Sequence, residues 1–144
     1  MKKIYFACSI RGGRQDQPVY DQLVNMIRQE AEVLSEIFGD KSLTDQGHSN
    51  LSDKRIYERD INWIKSADGV IAEVTNPSLG VGYELAKAEE WNIPVLALFR
   101  QDNDRRLSAM IAGSPNLTVI NYQDPAELKS KISSWLKNLD PKNT

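Results

Sequence analysis

Three short, uninterrupted apolar runs constrain the fold of this chain more than any other feature of its sequence. They are Ile4–Cys8, Gly69–Val74 and Ile93–Phe99, and each is bounded by turn-forming or charged residues. A strand covered on both faces has no polar side, so continuous apolarity predicts strands at the centre of a parallel sheet. A weaker run, Leu117–Tyr122, predicts a further strand, and Ser42–Thr44 has the length of a short edge strand.

Helical patterns fill the segments between these runs. The order β-α-(β)-α-β-α-β-α-β-α predicts an α/β fold, a doubly wound parallel sheet of about five strands with helices on both faces. Ligands of such sheets bind beyond the carboxyl ends of the strands, where the strand order reverses. The predicted helices are Val19–Phe38, Asp53–Ser66, one opening at Asn76-Pro77-Ser78 and ending near Trp91, Arg105–Ile111, and one from Asp124 to Leu139.

Length and composition are those of one ordinary domain. The chain has 144 residues, of which 40% are hydrophobic and 26% charged, so we expect a single domain over 1–139 and a flexible tail over 140–144. The formal net charge is −2, which gives no global positive field to recruit nucleic acid. A small anionic ligand would instead need a local site.

The cellular setting is inferred from the cysteine count and from the apolar runs. A single cysteine, Cys8, excludes an internal disulfide and fits a reducing compartment. The first apolar run ends at Arg11 without a convincing cleavage site, so it is better explained as a strand than as a signal peptide. No run approaches the ~18 residues that span a bilayer. We therefore expect a cytoplasmic protein without a membrane partner.

Two turns follow predicted strands and could hold a ligand. Ser9-Ile10-Arg11-Gly12-Gly13-Arg14 offers a hydroxyl, two guanidinium groups and two glycines that permit close backbone approach, although a solvated surface turn explains the same residues. The second turn, which includes Ser78, Gly80 and Gly82, leads into a helix whose free N–H groups suit a phosphate. Neither turn is a GxGxxG fingerprint or a P-loop, so the sequence does not indicate dinucleotide binding or NTP hydrolysis.

Three further residues are candidates for chemistry. Glu84 lies early in the helix that follows the second turn, and Asp60 lies in the helix before the third strand. Glycosidic chemistry needs such a pair, because one carboxylate attacks the anomeric carbon and the other handles the proton of the leaving group. Taken singly, both carboxylates are also explained as solvated helix residues, and Tyr5, in the first strand, as a core residue.

The sequence gives no sign of a metal site. His48 is the only histidine, and it has no partner Cys or His at ligand spacing. The G-x-S-x-G elbow of serine hydrolases is also missing. We therefore expect neither a metal nor an organic cofactor.

Taken together, the motifs resemble those of the 2′-deoxynucleoside 5′-phosphate N-hydrolases, which belong to the nucleoside 2-deoxyribosyltransferase superfamily. The resemblance extends over nearly the whole chain in the same order, and the string EVTNPSLGVGYEL is long and specific. The matching segments are YFACSIRGGR at Tyr5–Arg14, IYERDINWI at Ile56–Ile64, ADGVIAEVTNPSLGVGYELAKA at Ala67–Ala88, and LFR…RRLSAMI at Leu98–Ile111.

The resemblance implies a flavodoxin-like fold, a homodimer and a role for individual residues. Glu84 matches the nucleophile that forms a covalent 5-phospho-deoxyribosyl intermediate. Asp60 matches the residue that helps the base to leave, and Tyr5 the one that positions the nucleophile. Ser78 matches a phosphate-binding serine, whereas Ser108 matches a serine that reaches the phosphate in the neighbouring subunit's site. The Ser9–Arg14 turn would wrap the sugar and the phosphate.

The expected activity is hydrolysis of a (2′-deoxy)nucleoside 5′-monophosphate to free base and (deoxy)ribose 5-phosphate. Two alternatives remain. A deoxyribosyltransferase would pass the same glycosyl group to a second base, and a non-catalytic nucleotide-binding module would release no base. Family members often have a histidine in the sequence TEH where this chain reads Ser35-Glu36-Ile37, a departure expected to affect substrate preference rather than reaction type.

Overall fold

Five parallel strands form one sheet in the order β2-β1-β3-β4-β5. The computed structural model describes residues 1–10, 16–35, 51–102 and 104–141. This strand order is the flavodoxin-like one, so the predicted fold class is confirmed. The strands are β1 (Lys3–Ala7), β2 (Glu32–Leu34), β3 (Gly69–Glu73), β4 (Val95–Arg100) and β5 (Leu117–Tyr122).

Helices cover both faces of the sheet. One buried cluster packs residues of α1 and α5 against one face, and a second packs residues of α2 and α3 against the other. Alternate residues of each strand supply the two clusters, since successive side chains of a strand point to opposite faces. The helices are α1 (Gln17–Arg28), α2 (Asp53–Ser66), α3 (Leu79–Glu90), α4 (Ala109–Ala112) and α5 (Leu128–Lys137), the last preceded by a 3₁₀ turn (Pro125–Glu127).

The predicted central strands β1, β3 and β4 are buried as their apolarity requires. All five residues of β3 are buried, as are four of the five in β1 and five of the six in β4. At the edge of the sheet, β5 is mostly half-buried or exposed, which agrees with its weaker apolar pattern. Direct pairing of β1 with β3 places Ala7 opposite Ala72 at the carboxyl edge.

The predicted helix Val19–Phe38 is wrong in its second half. Helix α1 ends at Arg28, and the chain then turns so that the Ala31 N–H donates to the Ile27 carbonyl at 2.9 Å. The next three residues form β2, which pairs with β1. Val33 packs toward one core and Leu34 toward the other, which is the period of a strand. Pairing with β1 therefore overrides a spacing that also fits a helix. The suggested edge strand Ser42–Thr44 lies outside the described residues.

Other helix ends differ from the prediction because side chains cap them. The predicted helix Asp53–Ser66 is confirmed, and Ser52 caps its start with a hydroxyl that accepts from the Arg55 N–H at 3.3 Å. The third helix begins at Leu79, after the cap formed by Ser78.

The last two helices are also shorter than predicted. Helix α4 covers only Ala109–Ala112 rather than Arg105–Ile111, since Ser108 caps its start and the preceding residues form a loop. Asp124 opens a 3₁₀ turn with a capping box instead of the first α-helical turn, and α5 ends at Lys137. These differences move helix boundaries without changing the order of the elements.

Candidate active site

Tyr5, Asp60 and Glu84 meet at the face of the sheet covered by α2 and α3. The Tyr5 hydroxyl donates a hydrogen bond to Oε2 of Glu84, and it also hydrogen-bonds the Asp60 side chain. The structure therefore brings the three side chains that were predicted to be catalytic into one cluster. They come from β1, α2 and α3, and β1 and β3 flank the point where the strand order reverses.

The pleat of β1 determines which way Tyr5 points. Tyr5 and Ala7 belong to the cluster on the α2–α3 face, whereas Ile4 and Phe6 belong to the other face. Tyr5 is only 3% exposed, so its ring is a core residue as well. Packing of the ring fixes the hydroxyl in place between two carboxyl groups.

Asp60 lies in the middle of α2 and is largely buried, with its side chain 14% exposed. The Arg59 Nε donates to its Oδ1 at 3.0 Å. Burial raises the pKa of the Asp60 carboxyl above its ordinary value, although Arg59 and the Tyr5 hydroxyl both act to lower it. Asp60 therefore holds a proton more readily than a solvated aspartate, which suits a group that protonates a leaving base.

Glu84 is half-buried and lies six residues after the Ser78 cap of α3. The sequence placed it near the positive end of this helix, but the dipole effect fades within the first turn. The hydrogen bond from Tyr5 is thus the contact that supports a carboxylate at this position.

The start of α3 combines free backbone N–H groups with open space. The Ser78 hydroxyl accepts from the Val81 N–H at 3.2 Å and keeps its own proton for a further acceptor. Among the described residues, a Cβ at Gly82 would meet no atom within 4 Å, and one at Gly80 would meet only the Ser78 Oγ at 3.9 Å. Contacts within the described part of the chain therefore do not require these glycines and leave their surface open to a ligand.

The remaining predicted site residues are placed only in part. Ser9 is buried two residues after the end of β1, and Ile10 beside it is half-buried. Ser108 is exposed, and its hydroxyl accepts from the Met110 N–H at 3.3 Å as the cap of α4. Ser108 takes no part in the hydrogen bonds between Tyr5 and the two carboxyl groups. Four residues, Arg11, Gly12, Gly13 and Arg14, lie outside the described part of the chain.

A second polar network, on the opposite face of the sheet, was not predicted from sequence. Glu73 ends β3 with a buried carboxyl that accepts from the Thr75 N–H at 2.7 Å, from the Thr75 hydroxyl at 3.0 Å and from the Tyr122 hydroxyl. Burial raises the pKa of Glu73 above its ordinary value. The only sequence signal was an acidic residue within the apolar run GVIAEV.

This network continues into the turn that leads to Ser78. Arg100 donates its N–H to the Thr75 hydroxyl at 2.8 Å and its Nη2 to Asp16 at 2.7 Å. Asn76 donates to Asp16 and accepts from Arg105, which lies in the loop before α4. The start of α1, the β3–α3 turn and the loop after β4 are therefore tied together.

Within the described residues, no three His, Cys, Asp or Glu side chains converge to hold a metal ion. In the same part of the chain, no helix has both the length and the apolarity to cross a bilayer.

Comparison with known proteins identifies the family. The model of the nucleoside 2-deoxyribosyltransferase family matches residues 4–128. A 5-hydroxymethyl-dUMP N-hydrolase from Tetraodon nigroviridis is 49% identical over 115 residues, which are 79% of this chain and 81% of that protein. The protein of the same name from Danio rerio is 45% identical over 124 residues, 86% of this chain and 87% of its own length. This chain belongs to the nucleoside 2-deoxyribosyltransferase family.

A solved structure supports the fold independently. The CMP N-glycosidase of Clostridium botulinum superposes with a TM-score of 0.67 at 18% identity, covering 93% of this chain and 99% of that one. At this identity the similarity shows the shared fold. The names of the two N-hydrolases confirm the prediction, made from the motifs, that the chain is an enzyme that hydrolyses an N-glycosidic bond.

Proposed function

We propose that this enzyme hydrolyses the N-glycosidic bond of 2′-deoxynucleoside 5′-monophosphates, releasing the free base and 2-deoxyribose 5-phosphate. The observation that carries the proposal is the cluster in which one tyrosine hydroxyl joins Glu84 and Asp60. The relatives named above take 5-hydroxymethyl-dUMP, so this nucleotide is the first substrate to test.

In the first step, Glu84 attacks the anomeric carbon while the base departs. A bond forms between a Glu84 carboxylate oxygen and C1′, the C1′–N bond breaks, and the proton of Asp60 passes to the base. Tyr5 holds the Glu84 carboxylate in position through its hydrogen bond. In the second step, Asp60 takes a proton from water as that water attacks C1′, which releases the sugar phosphate and restores both carboxyl groups.

The phosphate would bind at the start of α3. The Ser78 hydroxyl and the free N–H groups there are donors, and the open surface of Gly80 and Gly82 admits the anion. By the resemblance, the segment Ser9–Arg14 would wrap the sugar and the phosphate. Binding energy from the phosphate, remote from the reacting bond, would position C1′ for attack by Glu84.

The working form would be a homodimer in which Ser108 completes the phosphate site of the partner. Large apolar side chains stand exposed on two helices, with Leu79 at the start of α3 97% exposed and Met110 in α4 82% exposed. Between α3 and α4 lies an open groove of about 560 Å³, lined in part by Leu85 and Ile111. A second copy of the chain would bury this apolar surface, in line with the symmetric interfaces of most oligomers.

A direct assay of base release tests the proposal. The protein is incubated with 5-hydroxymethyl-dUMP, dUMP, their ribonucleotide counterparts and the unphosphorylated nucleosides, and free base is measured by chromatography. We expect release from deoxynucleotides, at least tenfold slower release without the phosphate, and loss on the order of 10³-fold or more in Glu84→Gln. Binding of nucleotides with no base released by the wild type would indicate a non-catalytic module and overturn the proposal.

The same assay with a second base present separates hydrolysis from transfer. Adenine added in excess would intercept a glycosyl-enzyme in a transferase and yield a new nucleoside or nucleotide. A hydrolase gives 2-deoxyribose 5-phosphate in an amount equal to the base released. Exchange products in place of free sugar phosphate would replace hydrolysis by deoxyribosyl transfer as the activity of this chain.

A further inference from the structure

Arg59 contacts Asp60 in a way that helix geometry does not supply by default. Adjacent residues of an α-helix point about 100° apart, and such side chains do not normally face each other. Nevertheless the Arg59 Nε donates to Oδ1 of Asp60 at 3.0 Å. The two side chains are only 24% and 14% exposed, so this is not a loose surface pair.

Trp63 explains how Arg59 reaches its neighbour. Trp63 lies four residues after Arg59 on α2, and the guanidinium carbon sits 4.8 Å from the centroid of the indole ring. This cation–π contact directs the guanidinium along the helix, toward the side chain of Asp60. The Trp63 ring also lies 6.3 Å from the Tyr5 ring, so one packed layer supports both residues that hold the Asp60 carboxyl.

We propose that Arg59 is the positioning residue of Asp60: by occupying Oδ1, it orients the carboxyl so that the other oxygen gives its proton to the departing base and later takes one from water. The proposal rests on the proposed function, in which Asp60 protonates the departing base. A guanidinium held over Trp63 is more rigid than a lysine in the same place, because its planar fork is preorganised. Arg59 thereby restricts rotation of the carboxyl.

The charge of Arg59 also affects when Asp60 holds its proton. In the described part of the chain, the groups that face this carboxyl are Tyr5 from β1, Arg59 on α2 and, through the Tyr5 hydroxyl, Glu84 from α3. Arg59 is the only cation among them, and it favours ionised Asp60. Removing it should let Asp60 stay protonated to higher pH, so the alkaline limb of kcat should move to higher pH.

Kinetics of Arg59→Gln and Arg59→Lys test the role, with Arg55→Gln as the matched control. Arg55 lies on the same helix with an exposed side chain. For 5-hydroxymethyl-dUMP we expect kcat of Arg59→Gln to fall on the order of 10-fold, with KM within about threefold, because Asp60 acts in proton transfer and not in substrate binding. A nucleotide with an activated leaving group should show a much smaller loss.

The two substitutions separate charge from orientation. In Arg59→Lys the alkaline limb of the kcat profile should stay near that of the wild type, because lysine retains the positive charge. Only part of kcat should be recovered, because lysine lacks the planar guanidinium. Arg55→Gln should change neither. Two results for Arg59→Gln would overturn the proposal. One is an equal loss of kcat for nucleotides with ordinary and with activated leaving groups, and the other is an alkaline limb of kcat at the same pH as in the wild type.

A measurement without substrate keeps this test independent of the proposed function. The ¹³C signal of the Asp60 carboxyl, followed by NMR as pH is changed, should titrate at higher pH in Arg59→Gln than in the wild type. An unchanged titration removes the role given to Arg59, whatever the enzyme does. Failure of the wild type to release base overturns the proposed function, even when the titration shifts as expected. Thermal unfolding of each variant checks that the fold is retained.

Discussion

The hydroxyl of Tyr5 has a single proton, yet it lies between two carboxyl groups. It donates to Glu84 and hydrogen-bonds Asp60 as well. One proton cannot serve both carboxyl groups at once, so ionised Glu84 and ionised Asp60 compete for it. Burial raises the pKa of Asp60 while the Tyr5 hydroxyl acts to lower it, and the proposed roles assign the ionised form to Glu84 and the proton to Asp60.

Replacing Tyr5 by Phe tests this division of charge. The ring is retained, so the fold should survive, with a stability loss of about 1 kcal/mol for the missing hydrogen bond. We expect kcat to fall by roughly 10- to 100-fold, because Glu84 loses its donor and both carboxyl groups lose their fixed geometry. Steady-state kinetics with a thermal unfolding check measure this. A kcat within threefold of the wild type would mean that Tyr5 is a core residue and nothing more.

For Asp60→Asn the expected result depends on the leaving group. An amide cannot give up a proton, so kcat for ordinary nucleotides should fall by about 10²-fold or more. A base that departs as a stable anion needs little protonation, and its release should be much less affected. Comparing kcat for the two kinds of nucleotide provides the measurement. Losses of the same size would instead assign Asp60 to holding the sugar.

The sequence pointed to the three residues of the proposed catalytic cluster but not to the residues that hold Asp60 in place. Glu84, Asp60 and Tyr5 were identified through the motifs that resemble those of known N-hydrolases. Arg59 was not, because patterns of helical spacing pair residues three or four apart and give no reason to pair neighbours. Its stacking partner, Trp63, does follow that spacing and was the available signal.

Among the elements, the turn between β3 and α3 is held by several side-chain hydrogen bonds. Glu73 fixes Thr75, while Asn76 joins Asp16 and Arg105. These contacts come from the face of the sheet opposite the catalytic cluster. They fix the direction in which the chain enters α3, and with it the position of the Ser78 cap and of Glu84 one and a half turns later.

The buried carboxyl of Glu73 should make stability depend on pH in a definite direction. Its pKa is raised above the usual value of 4.5, so the folded state retains a proton that the unfolded state releases. As pH rises from the pKa of Glu73 in the unfolded state to its higher pKa in the folded state, the stability of the fold falls. Above both pKa values the loss is complete. Glu73→Gln has no such titration. The free energy of unfolding of the variant, taken relative to that of the wild type, should therefore be higher at pH 8 than at pH 4.5.

Urea unfolding of both proteins at the two pH values measures this difference. Glu58→Gln, which changes a carboxyl that is 55% exposed on α2, serves as the control. A difference in unfolding free energy between the wild type and Glu73→Gln that is the same at both pH values would contradict the raised pKa. Comparing variants removes the contribution of groups they share, including Asp16, whose pKa is lowered through its hydrogen bonds to Arg100 and Asn76.

Element boundaries show where sequence patterns are insufficient. Strands β1, β3 and β4 followed from apolarity alone, since burial on both faces leaves few other residue choices. The three residues of β2 did not, because Leu34 lies seven residues after Ile27 and fits a helical stripe equally well. What decides between a helix and a strand for these residues is their pairing with β1, a contact between segments distant in sequence. Similarly, the loop before α4 is fixed by the contact of Arg105 with Asn76.

At the scale of the whole molecule, the proposed dimer is tested through Ser108. Ser108→Ala should raise KM for nucleotides by about 10-fold or more, since a hydrogen bond to a charged phosphate is worth roughly 1.5–3 kcal/mol. The oligomeric state should be unchanged, as sedimentation can verify. An unchanged KM would exclude Ser108 from the phosphate site.

Mixing Ser108→Ala with Glu84→Ala tells whether the serine acts across the interface. A mixed dimer has one site with both an intact Glu84 and an intact Ser108 from the other subunit. Activity should then exceed the sum of the two parents after subunits exchange. Exchange without such a gain, followed with differently labelled subunits, would place Ser108 in the site of its own chain.

The alternation of side chains along β3 means that the sheet separates two tasks. Ala72 faces the helices that carry Asp60 and Glu84, whereas Glu73, the next residue, faces the network that anchors the turn. The two sets of contacts lie on opposite sides of a layer of backbone and are joined through the turn between β3 and α3. Substitutions on the two sides of the sheet that lie away from this turn and share no partner should therefore have effects close to additive.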